Sequence, residues 1–362
     1  MTKKINTLAL FSGGGGLDLG FSSAHFNIVL SSDIDSYSCK TLKQNQSKKD
    51  FLTTHPILCE DISNITNQTI NALTNNKSID FIVGGPPCQA FSIFGKRKGL
   101  NDLRGNLLFE YARLIKETQP EGFLFENVSG LKTIHNGTLY SQLFDILSIY
   151  GKYTISDHEY ELADFGIPQF RKRIFFIGTK TGKSIPAMQA THALHSDMLY
   201  KPFSTVNSAL SNLPKIITDW KSKPNLNGHV GRKHSESIIH RYQSLNFGER
   251  DSKTRINKLN PNKPSFTIVV GSDKGGGKGH IHPFEAREVT PRESARIQTF
   301  PDWWEFSGTG RHIIRQVGNA VPPVFAALLA NYIARQIFLE TSSLDFSAIV
   351  KKLELDYLNV SY

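Results

Sequence analysis

One cysteine of this chain lies in a setting that suits nucleophilic chemistry. Cys88 follows the turn Gly84-Gly85-Pro86-Pro87, and the short apolar run Asp80-Phe81-Ile82-Val83 before that turn predicts a buried parallel strand. Two glycines and two prolines end this strand abruptly. We therefore expect Cys88 beyond the carboxyl end of a strand, where open α/β sheets place their chemistry. The alternative is a small buried apolar residue, which is the commoner role of a free cysteine.

A glycine-rich segment near the start of the chain predicts a ligand cradle. Phe11-Ser12-Gly13-Gly14-Gly15-Gly16 joins an apolar strand to a helical pattern, so a ligand could approach the backbone at a helix N-terminus. The dinucleotide pattern G-x-G-x-x-G fails, because Asp18 occupies its third glycine position. Asp33 and Asp61 end the next two strand patterns, where carboxylates bind ribose hydroxyls. Together these features favour a nucleoside-bearing cofactor without a pyrophosphate, although each alone also fits a tight turn or a helix cap.

The elements that must position these residues alternate along the first half of the chain. Short apolar strands at 7–11, 28–32, 57–59, 81–83, 123–125 and 174–177 separate helical patterns such as 107–117 and 139–149. This alternation predicts an α/β fold with a doubly wound sheet. We expect a first domain at 1–183, an irregular or β-rich second domain at 184–290, and a return to the first domain at 291–340 with helices at 291–298 and 323–338. The tail at 341–362 is expected to add one amphipathic helix.

Charge is concentrated in the predicted second domain. The chain of 362 residues has a net charge of +10, and residues 184–290 carry 15 Lys and Arg against 8 Asp and Glu. This excess predicts a lobe that binds a polyanion, and a solvated basic surface is the alternative. Hydrophobic content of 39% is ordinary for a globular protein, and no run approaches 18 apolar residues, so we expect no membrane-spanning helix.

Cysteine spacing and the start of the chain indicate a reducing compartment. Cys39, Cys59 and Cys88 form no CxxC pair, which argues against a disulfide framework and against a zinc site, so no metal is expected. Lys3-Lys4 and the apolar run after it resemble a signal peptide superficially, but the run is short and ends in four glycines, which favours a first strand. We expect the protein in the cytoplasm.

The sequence resembles the cytosine-5 DNA methyltransferase family, of the bacterial restriction-modification type. The resemblance rests on separated blocks in the order of that family: the segment from Phe11 to Gly16, Asp33, Asp61, Pro86-Pro87-Cys88-Gln89, Glu126-Asn127-Val128, Gln169-Phe170-Arg171-Lys172-Arg173, Arg292-Glu293-Ser294-Ala295-Arg296-Ile297-Gln298 and Gln316-Val317-Gly318-Asn319-Ala320-Val321-Pro322. Each block alone is weak, and their order over residues 8–330 is specific. It implies a Rossmann-like, S-adenosylmethionine-dependent methyltransferase sheet with a smaller target-recognition domain at 184–290.

The resemblance implies S-adenosylmethionine as the cofactor. Adenine is expected near Phe11, the ribose at Asp33 and the exocyclic amine near Asp61, with the glycines and Asn319 around the methionine end. Ile34 stands where many relatives carry an aromatic residue, so we expect weaker stacking on that side. The full set of expected cofactor residues is Phe11, Ser12, Gly13, Gly15, Gly16, Asp33, Ile34, Asp61, Ile62, Pro86, Asn319 and Ala320.

The resemblance also implies a covalent mechanism. A thiolate that adds to C6 of cytosine turns the ring into an enamine, whose C5 can attack a methyl sulfonium. Cys88 is the expected nucleophile, and Glu126 is expected to bond or protonate N3 of the base. Arg173 is expected at the cytosine O2 and Arg171 at a phosphate or in local structure, and these two roles could be exchanged. Because the two arginines alternate at a strand entry, we expect them on opposite faces.

Double-stranded DNA is the implied substrate. Cys88 cannot reach C6 inside a stacked duplex, so the target nucleotide must flip out. A loop after Cys88 and the basic insert supply the expected DNA contacts, which are Ser92, Lys96, Arg97, Lys98, Arg104, Arg232, Lys233, Lys274 and Lys278. Base reading is expected from polar residues of the insert, and the candidates are Arg232, Lys233, His234 and the loop from Gly275 to His280.

Two other functions compete with this interpretation. An RNA cytosine-5 methyltransferase that acts on tRNA would carry the same blocks, but the long insert and the continuation Gln89-Ala90-Phe91-Ser92 favour DNA. A non-enzymatic DNA-binding relative should lack Cys88 or Glu126, and both are present. We expect a monomer that protects host DNA from a restriction endonuclease without forming a stable complex with it, and no membrane partner.

Overall fold

A central seven-stranded sheet organises the part of the chain that the structure describes. The structure is a computed structural model that describes residues 4–87, 107–132, 138–180, 182–195, 198–219, 224–269 and 279–358. The strands of the sheet are β1 Ile5–Leu10, β2 Phe26–Asp33, β3 Ile57–Cys59, β4 Phe81–Gly84, β5 Gly122–Val128, β6 Thr154–Glu161 and β7 Lys172–Thr179. A separate pair, β8 His192–Ala193 and β9 Lys201–Pro202, is parallel.

The strand order of the sheet is β3-β2-β1-β4-β5-β7-β6. Strand β7 is antiparallel to both of its neighbours, and β1 to β5 pair in parallel. The order reverses between β1 and β4, where Leu10 pairs with Gly84. The glycine-rich loop after β1 and the proline turn after β4 therefore leave the sheet side by side, at the switch point where α/β sheets bind ligands. The predicted Rossmann-like sheet is confirmed.

Helices cover both faces of this sheet. They are α1 Gly16–Ser22, α2 Ser36–Asn45, α3 Asn67–Leu73, α4 Leu107–Thr118, α5 Thr138–Leu147, α6 Val206–Leu210, α7 Glu236–Ser244, α8 Pro291–Ile297, α9 Gly310–Asn319, α10 Pro323–Ile337 and α11 Phe346–Leu353. Local chemistry fixes several starts: α8 begins with a Thr290–Glu293 capping box and a proline in its first turn. The helices predicted at 107–117, 139–149, 291–298 and 323–338 are confirmed within one or two residues.

Apolar residues alternate between two cores, one on each face of the sheet. In β1, Ile5 and Ala9 join the larger core, while Leu8 and Leu10 join the other. Burial on both faces explains why β1 and β4 are almost wholly apolar in sequence. Strand β6 was not predicted, because it is a half-exposed edge strand of mostly polar residues that pairs only with β7.

The basic segment 184–290 is mostly irregular chain in the ranges that the structure describes. Its regular elements there are α6, α7 and the β8–β9 pair, so the irregular alternative is favoured over the β-rich one. Tyr242, Ile256 and Ile281 form a small core of their own, whereas Ile185 and Val206 join the larger core of the sheet. The predicted domain boundaries stay a prediction.

The C-terminal segment continues the main core. The predicted amphipathic helix is α11, and its last residue Leu353 is buried in the larger core together with Leu355 and Leu358 after it. The Tyr357 hydroxyl donates to the carbonyl oxygens of Arg296 and Phe300, both at 3.3 Å. These contacts hold the end of the described chain against α8.

Helices α9 and α10 form the one apolar helical stretch, among the described residues, that is long enough to cross a bilayer. This stretch spans Gly310–Ile337, and 83% of its most apolar window is buried inside the protein. Such burial is typical of core helices in a globular protein.

Candidate active site

The glycine-rich loop after β1 is shaped by its packing against the C-terminal third of the chain. Gly15 has φ +84°, and a Cβ there would lie 2.6 Å from the Trp304 ring. A Cβ on Gly16 would lie 2.2 Å from the Val321 carbonyl oxygen. Gly13 also has a positive φ, but the atom nearest to a Cβ there is 4.0 Å away. Gly15 and Gly16 therefore allow close packing of the protein, while Gly13 is the glycine that leaves room above the loop.

Asp33 binds the backbone on both sides of the predicted cofactor site. Its carboxylate accepts from the Gly13 N–H at 2.7 Å and from the Asp35 N–H at 2.8 Å. Burial raises the pKa of Asp33, and these two N–H donors oppose the increase. Asp61 lies at the next strand end and caps a short helical turn by accepting from the Ser63 N–H at 2.9 Å, which lowers its pKa. The structure thus brings both aspartates to the edge predicted from the sequence.

The other predicted cofactor residues lie around the same edge. Phe11 adopts φ +54° directly after β1 and turns the chain into the loop. Ile34 is 69% exposed and Asn319 is exposed, so both present side chains to solvent, while Ile62 and Pro86 are buried. The Ala320 Cβ lies against Gly16, which brings the end of α9 to the loop.

A buried polar network beneath the loop was not predicted as part of the site. Asp18 is completely enclosed in α1, and its Oδ2 accepts from the Ser12 hydroxyl at 3.1 Å and from the Ser31 hydroxyl at 2.6 Å. Ser31 Oγ also lies 2.9 Å from His55 Nε2. Burial raises the pKa of Asp18 to about 6. The sequence signal for this network was a carboxylate within the apolar helix pattern of Leu17, Leu19 and Phe21.

Glu126 and Arg173 form an ion pair at the carboxyl end of β5. Arg173 Nε lies 3.0 Å from Glu126 Oε1, and both side chains are mostly buried. The register of β5 and β7 produces this pair, because Glu126 lies opposite Phe175, two residues from Arg173 in β7. A Cβ on Gly85 would lie 2.6 Å from Glu126 Oε2, so a side chain at this position would displace the carboxylate where the proline turn passes it.

Burial and the neighbouring arginines act in opposite directions on the pKa of Glu126. Burial raises its pKa, and the positive charges of Arg173 and Arg171 oppose that increase. A carboxyl group balanced in this way can hold or release a proton in response to a neighbouring ligand. The same balance is lost if either arginine is removed.

Asn127 fixes the turn that leads to the predicted nucleophile. Its side-chain Nδ2 donates to the Pro86 carbonyl oxygen at 3.1 Å. The turn that carries Cys88 is therefore tied to the strand that carries Glu126. Cys88 itself lies outside the described residues.

Arg171 is a buried structural residue. It is 0% exposed, and its guanidinium donates to the carbonyl oxygens of Ile268, Gly318 and Ala320 at 3.2, 2.7 and 3.1 Å. This burial favours the local-structure alternative over a phosphate contact. The expected opposite orientation of the arginines was wrong, because residues two apart at a strand share a face and both act on Glu126.

Gln169 and Gln298 extend the contacts of Arg171. Gln169 Nε2 donates to Gln298 Oε1 at 2.7 Å, and Gln169 Oε1 accepts from the Ile268 N–H at 2.9 Å. Gln298 Nε2 in turn donates to the Val317 carbonyl oxygen at 2.6 Å. The buried amides therefore join the basic segment to the end of α9.

The predicted DNA contacts are only partly within the described ranges. Arg232 and Lys233 are exposed, and Arg232 pairs with Glu288 at 3.5 Å. His280 is buried with Nε2 3.2 Å from the Phe266 carbonyl oxygen, so its expected role in base reading is not supported by this placement. The remaining expected contacts, Ser92, Lys96, Arg97, Lys98, Arg104, Lys274 and Lys278, lie outside the described residues.

Comparisons with known proteins identify the family of the chain. The family model described as C-5 cytosine-specific DNA methylase matches residues 5–338. The type II methyltransferase M.PspPI of a Psychrobacter species is 33% identical over 93% of this chain and 80% of its own length. M1.HphI of Haemophilus parahaemolyticus is 31% identical over 90% of this chain and 86% of its own length.

Solved structures share the fold. A structure described as a DNA modification methyltransferase encoded within an E. coli prophage has a TM-score of 0.75 and 31% identity, and the match covers 93% of this chain and all of that one. The Dnmt2 methyltransferase of S. pombe has a TM-score of 0.63 at 18% identity, covering 92% of this chain and 99% of its own. The second likeness concerns the fold alone.

Proposed function

The chain belongs to the C-5 cytosine-specific DNA methylase family, and we propose on that premise that it methylates a cytosine within a specific duplex sequence by base flipping and covalent catalysis. The observation that carries the proposal is the Glu126–Arg173 pair, which lies 3.0 Å apart beside the proline turn that leads to Cys88. A buried carboxylate balanced by one guanidinium suits a ring whose N3 gains electron density during addition.

The residues around the glycine loop fit S-adenosylmethionine, which supplies a methyl group on a sulfonium cation. Gly13 leaves open space above the loop, and the Asp33 carboxylate borders that space. Asp18 adds a carboxyl oxygen, Oδ1, that is buried without a hydrogen-bond partner. Carboxylates at this edge would attract a cationic cofactor, and Asp33 would orient a ribose through hydroxyl hydrogen bonds.

We assign the steps on the base to three side chains. The Cys88 thiolate adds to C6, the electron pair of the C5–C6 double bond forms a C4–C5 double bond, and the pair of the C4–N3 double bond moves to N3. Glu126 stabilises that density by sharing a proton with N3, while Arg173 holds Glu126 and donates toward O2. C5 then takes the methyl group, and the electron pair of the broken methyl–sulfur bond would stay on sulfur. Loss of the C5 proton to a general base re-forms the C5–C6 double bond and expels the Cys88 thiolate from C6.

The basic segment 184–290 is proposed to bind and read the duplex. Its exposed Arg232 and Lys233 supply phosphate contacts that offset the few kcal/mol needed to unstack a base. The relatives named above are type II methyltransferases. We propose that this chain protects host DNA from a restriction endonuclease, and that it acts as a monomer in the cytoplasm.

Bisulfite sequencing of DNA from a host that expresses the chain tests this function. We expect one short sequence to be protected at one cytosine, and no protection with Cys88→Ser. Incubation of the purified protein with labelled S-adenosylmethionine and either duplex DNA or tRNA separates the DNA function from the RNA alternative. Label only in tRNA, or protection that survives Cys88→Ser, would contradict the proposal.

A further inference from the structure

Two cysteines flank the turn that follows β2, on the cofactor side of the sheet. Cys39 Sγ lies 3.3 Å from the Asp33 carbonyl oxygen and 3.8 Å from that of Leu58. Cys59 ends β3 directly opposite Asp33, and its Sγ lies 3.9 Å from the Ile34 carbonyl oxygen. The two sulfurs therefore contact successive carbonyl groups of one turn, and Cys39 Sγ also reaches the backbone of Leu58, the residue before Cys59.

The two thiols differ in access. Cys59 is exposed and Cys39 is buried in the first part of α2, and both are free. An exposed thiol next to a buried one is the arrangement in which one cysteine reacts first and the other resolves the product. A structural role alone would not require two thiols at neighbouring carbonyls of one turn.

We propose that Cys39 and Cys59 are a reversible oxidation site, whose disulfide displaces the Asp33–Ile34 turn and weakens cofactor binding. The oxidant is a small-molecule disulfide of the glutathione type. The Cys59 thiolate attacks one sulfur of that molecule, which forms a mixed disulfide and releases one small thiolate. Cys39 loses its proton, and its thiolate attacks Cys59 Sγ, which closes the protein disulfide and releases the second small thiolate.

Electrostatics sets the order of these steps. Burial, with the hydrogen bond and charge of Cys59 as further causes, raises the pKa of Cys39. Cys39 therefore remains a thiol at first, while the exposed Cys59 is the sulfur that a small-molecule disulfide can reach. Once Cys59 is capped as a mixed disulfide, its negative charge no longer opposes ionisation of Cys39, and the second step becomes easier.

The bond changes the cofactor edge because a disulfide is much shorter than a thiol–thiol contact. The sulfurs must approach to about 2.0 Å, and both S–H donors to the turn disappear. Asp33 holds Gly13 through a 2.7 Å hydrogen bond, so movement of this turn reaches the glycine loop. This effect on affinity rests on the proposed cofactor site, whereas formation of the disulfide does not.

The test uses the full chain with Cys88→Ser, so that the proposed nucleophile does not react. The protein is treated with glutathione disulfide, its remaining thiols are alkylated, and its peptides are mapped by mass spectrometry. We expect a Cys39–Cys59 bridge, a mass lower by two hydrogens, and reversal by dithiothreitol. S-adenosylmethionine affinity, measured by calorimetry, should fall about tenfold, equivalent to about 1.4 kcal/mol.

The variant Cys59→Ser is the matched control, because the exposed position tolerates the change and Cys39 remains. Its affinity should not respond to oxidant. A stable mixed disulfide at Cys59 without a bridge, or a bridged protein that binds the cofactor like the reduced one, would overturn the proposal. Failure of the reduced protein to bind S-adenosylmethionine would instead contradict the proposed function, and the peptide map would still decide whether the bridge forms.

Discussion

The two halves of the candidate active site bury carboxylates in different ways. On the cofactor half, formed by the ends of β1, β2 and β3, Asp33 accepts from two backbone N–H groups and Asp18 accepts from two hydroxyls. On the target-base half, formed by β4, β5 and β7, Glu126 pairs with the guanidinium of Arg173. All three carboxyl groups have a raised pKa because burial disfavours their charge.

The two halves therefore differ in whether a carboxyl group can change its hydrogen-bond partner and its proton occupancy during the reaction. Backbone N–H groups do not change charge, so the two that Asp33 accepts from favour one charge state and one orientation of its carboxylate throughout the reaction. A guanidinium can divide its hydrogen bonds between a carboxylate and a base, so Glu126 can change its proton occupancy as the base reacts. We therefore expect substitutions in the target half to affect rate, and those in the cofactor half to affect binding or pH dependence.

The largest effect is expected for Glu126→Gln. The amide keeps the size of the side chain but cannot share a proton with N3, so kcat should fall roughly 10²–10⁴-fold. The rate of duplex DNA methylation under single-turnover conditions measures this loss. Glu117→Gln is the matched control, because Glu117 pairs with Arg113 on the outer surface of α4. A variant that kept a tenth of the wild-type rate would show that Glu126 takes no part in the chemistry.

Arg173→Ala should leave Glu126 buried without its closest cation, at a cost of roughly 3–5 kcal/mol of unfolding free energy at pH 8. Arg173 lowers the pKa of Glu126, so its loss raises that pKa further. A folded-state pKa above the unfolded value stabilises the fold at low pH and loses that contribution as pH rises. The destabilisation should therefore be smaller at pH 5 than at pH 8. Urea unfolding at both values checks this, and an equal loss at both would contradict it.

Asp18→Asn should remove a pH dependence of stability. The pKa of Asp18 rises from 3.8 to about 6 on folding, so the wild type loses up to about 3 kcal/mol as pH increases through that window. The stability of the variant relative to wild type should therefore rise between pH 4 and pH 7, whatever the cost of the amide itself. Thermal or urea unfolding across this range is the measurement. A constant difference would mean that Asp18 does not titrate there.

Asp33→Asn should have the smallest effect of these substitutions, and it should change cofactor affinity instead of rate. An amide has one acceptor oxygen for the two N–H groups that Asp33 binds, so one of the hydrogen bonds to the Gly13 and Asp35 N–H groups is lost. Affinity for S-adenosylmethionine should fall about tenfold, about 1.4 kcal/mol, with little change in kcat at saturation. Asp345→Asn is the control, since Asp345 caps α11 through the Ala348 N–H at 2.8 Å. A fall in kcat at saturating S-adenosylmethionine would contradict the proposal that the cofactor half affects binding and the target-base half affects rate.

Sequence patterns predicted the parts of this molecule that follow from local chemistry. Strand β4 and helix α8 could be predicted because an apolar run ended by Gly-Pro, and a Thr-Pro-x-Glu capping signal, are local. The patterns predicted neither β6 nor α9, whose polar residues are held by pairing with β7 and by packing on the glycine loop. Such elements depend on partners distant in sequence.

The candidate site also combines features that local sequence predicts with features that depend on residues distant in sequence. Glu126 and Asp33 could be placed at strand ends from the sequence, but the Glu126–Arg173 pair depends on the register of β5 with β7. The burial of Arg171 depends on carbonyl groups about 97 and 147 residues further along the chain. Asp18 was visible as an interruption of a glycine pattern, but its hydroxyl partners became evident only in three dimensions.

Covalent trapping tests most directly whether the target-base half carries the chemistry. Methyl transfer to C5 must be followed by loss of the original C5 hydrogen, and fluorine at that position cannot leave as a cation. A duplex with 5-fluorocytosine at the target should therefore remain bonded through C6 to Cys88 during denaturing electrophoresis, only with S-adenosylmethionine present. The adduct should vanish in Cys88→Ser and form much more slowly in Glu126→Gln. An adduct that maps to Cys39 or Cys59, or none with active enzyme, would contradict the mechanism.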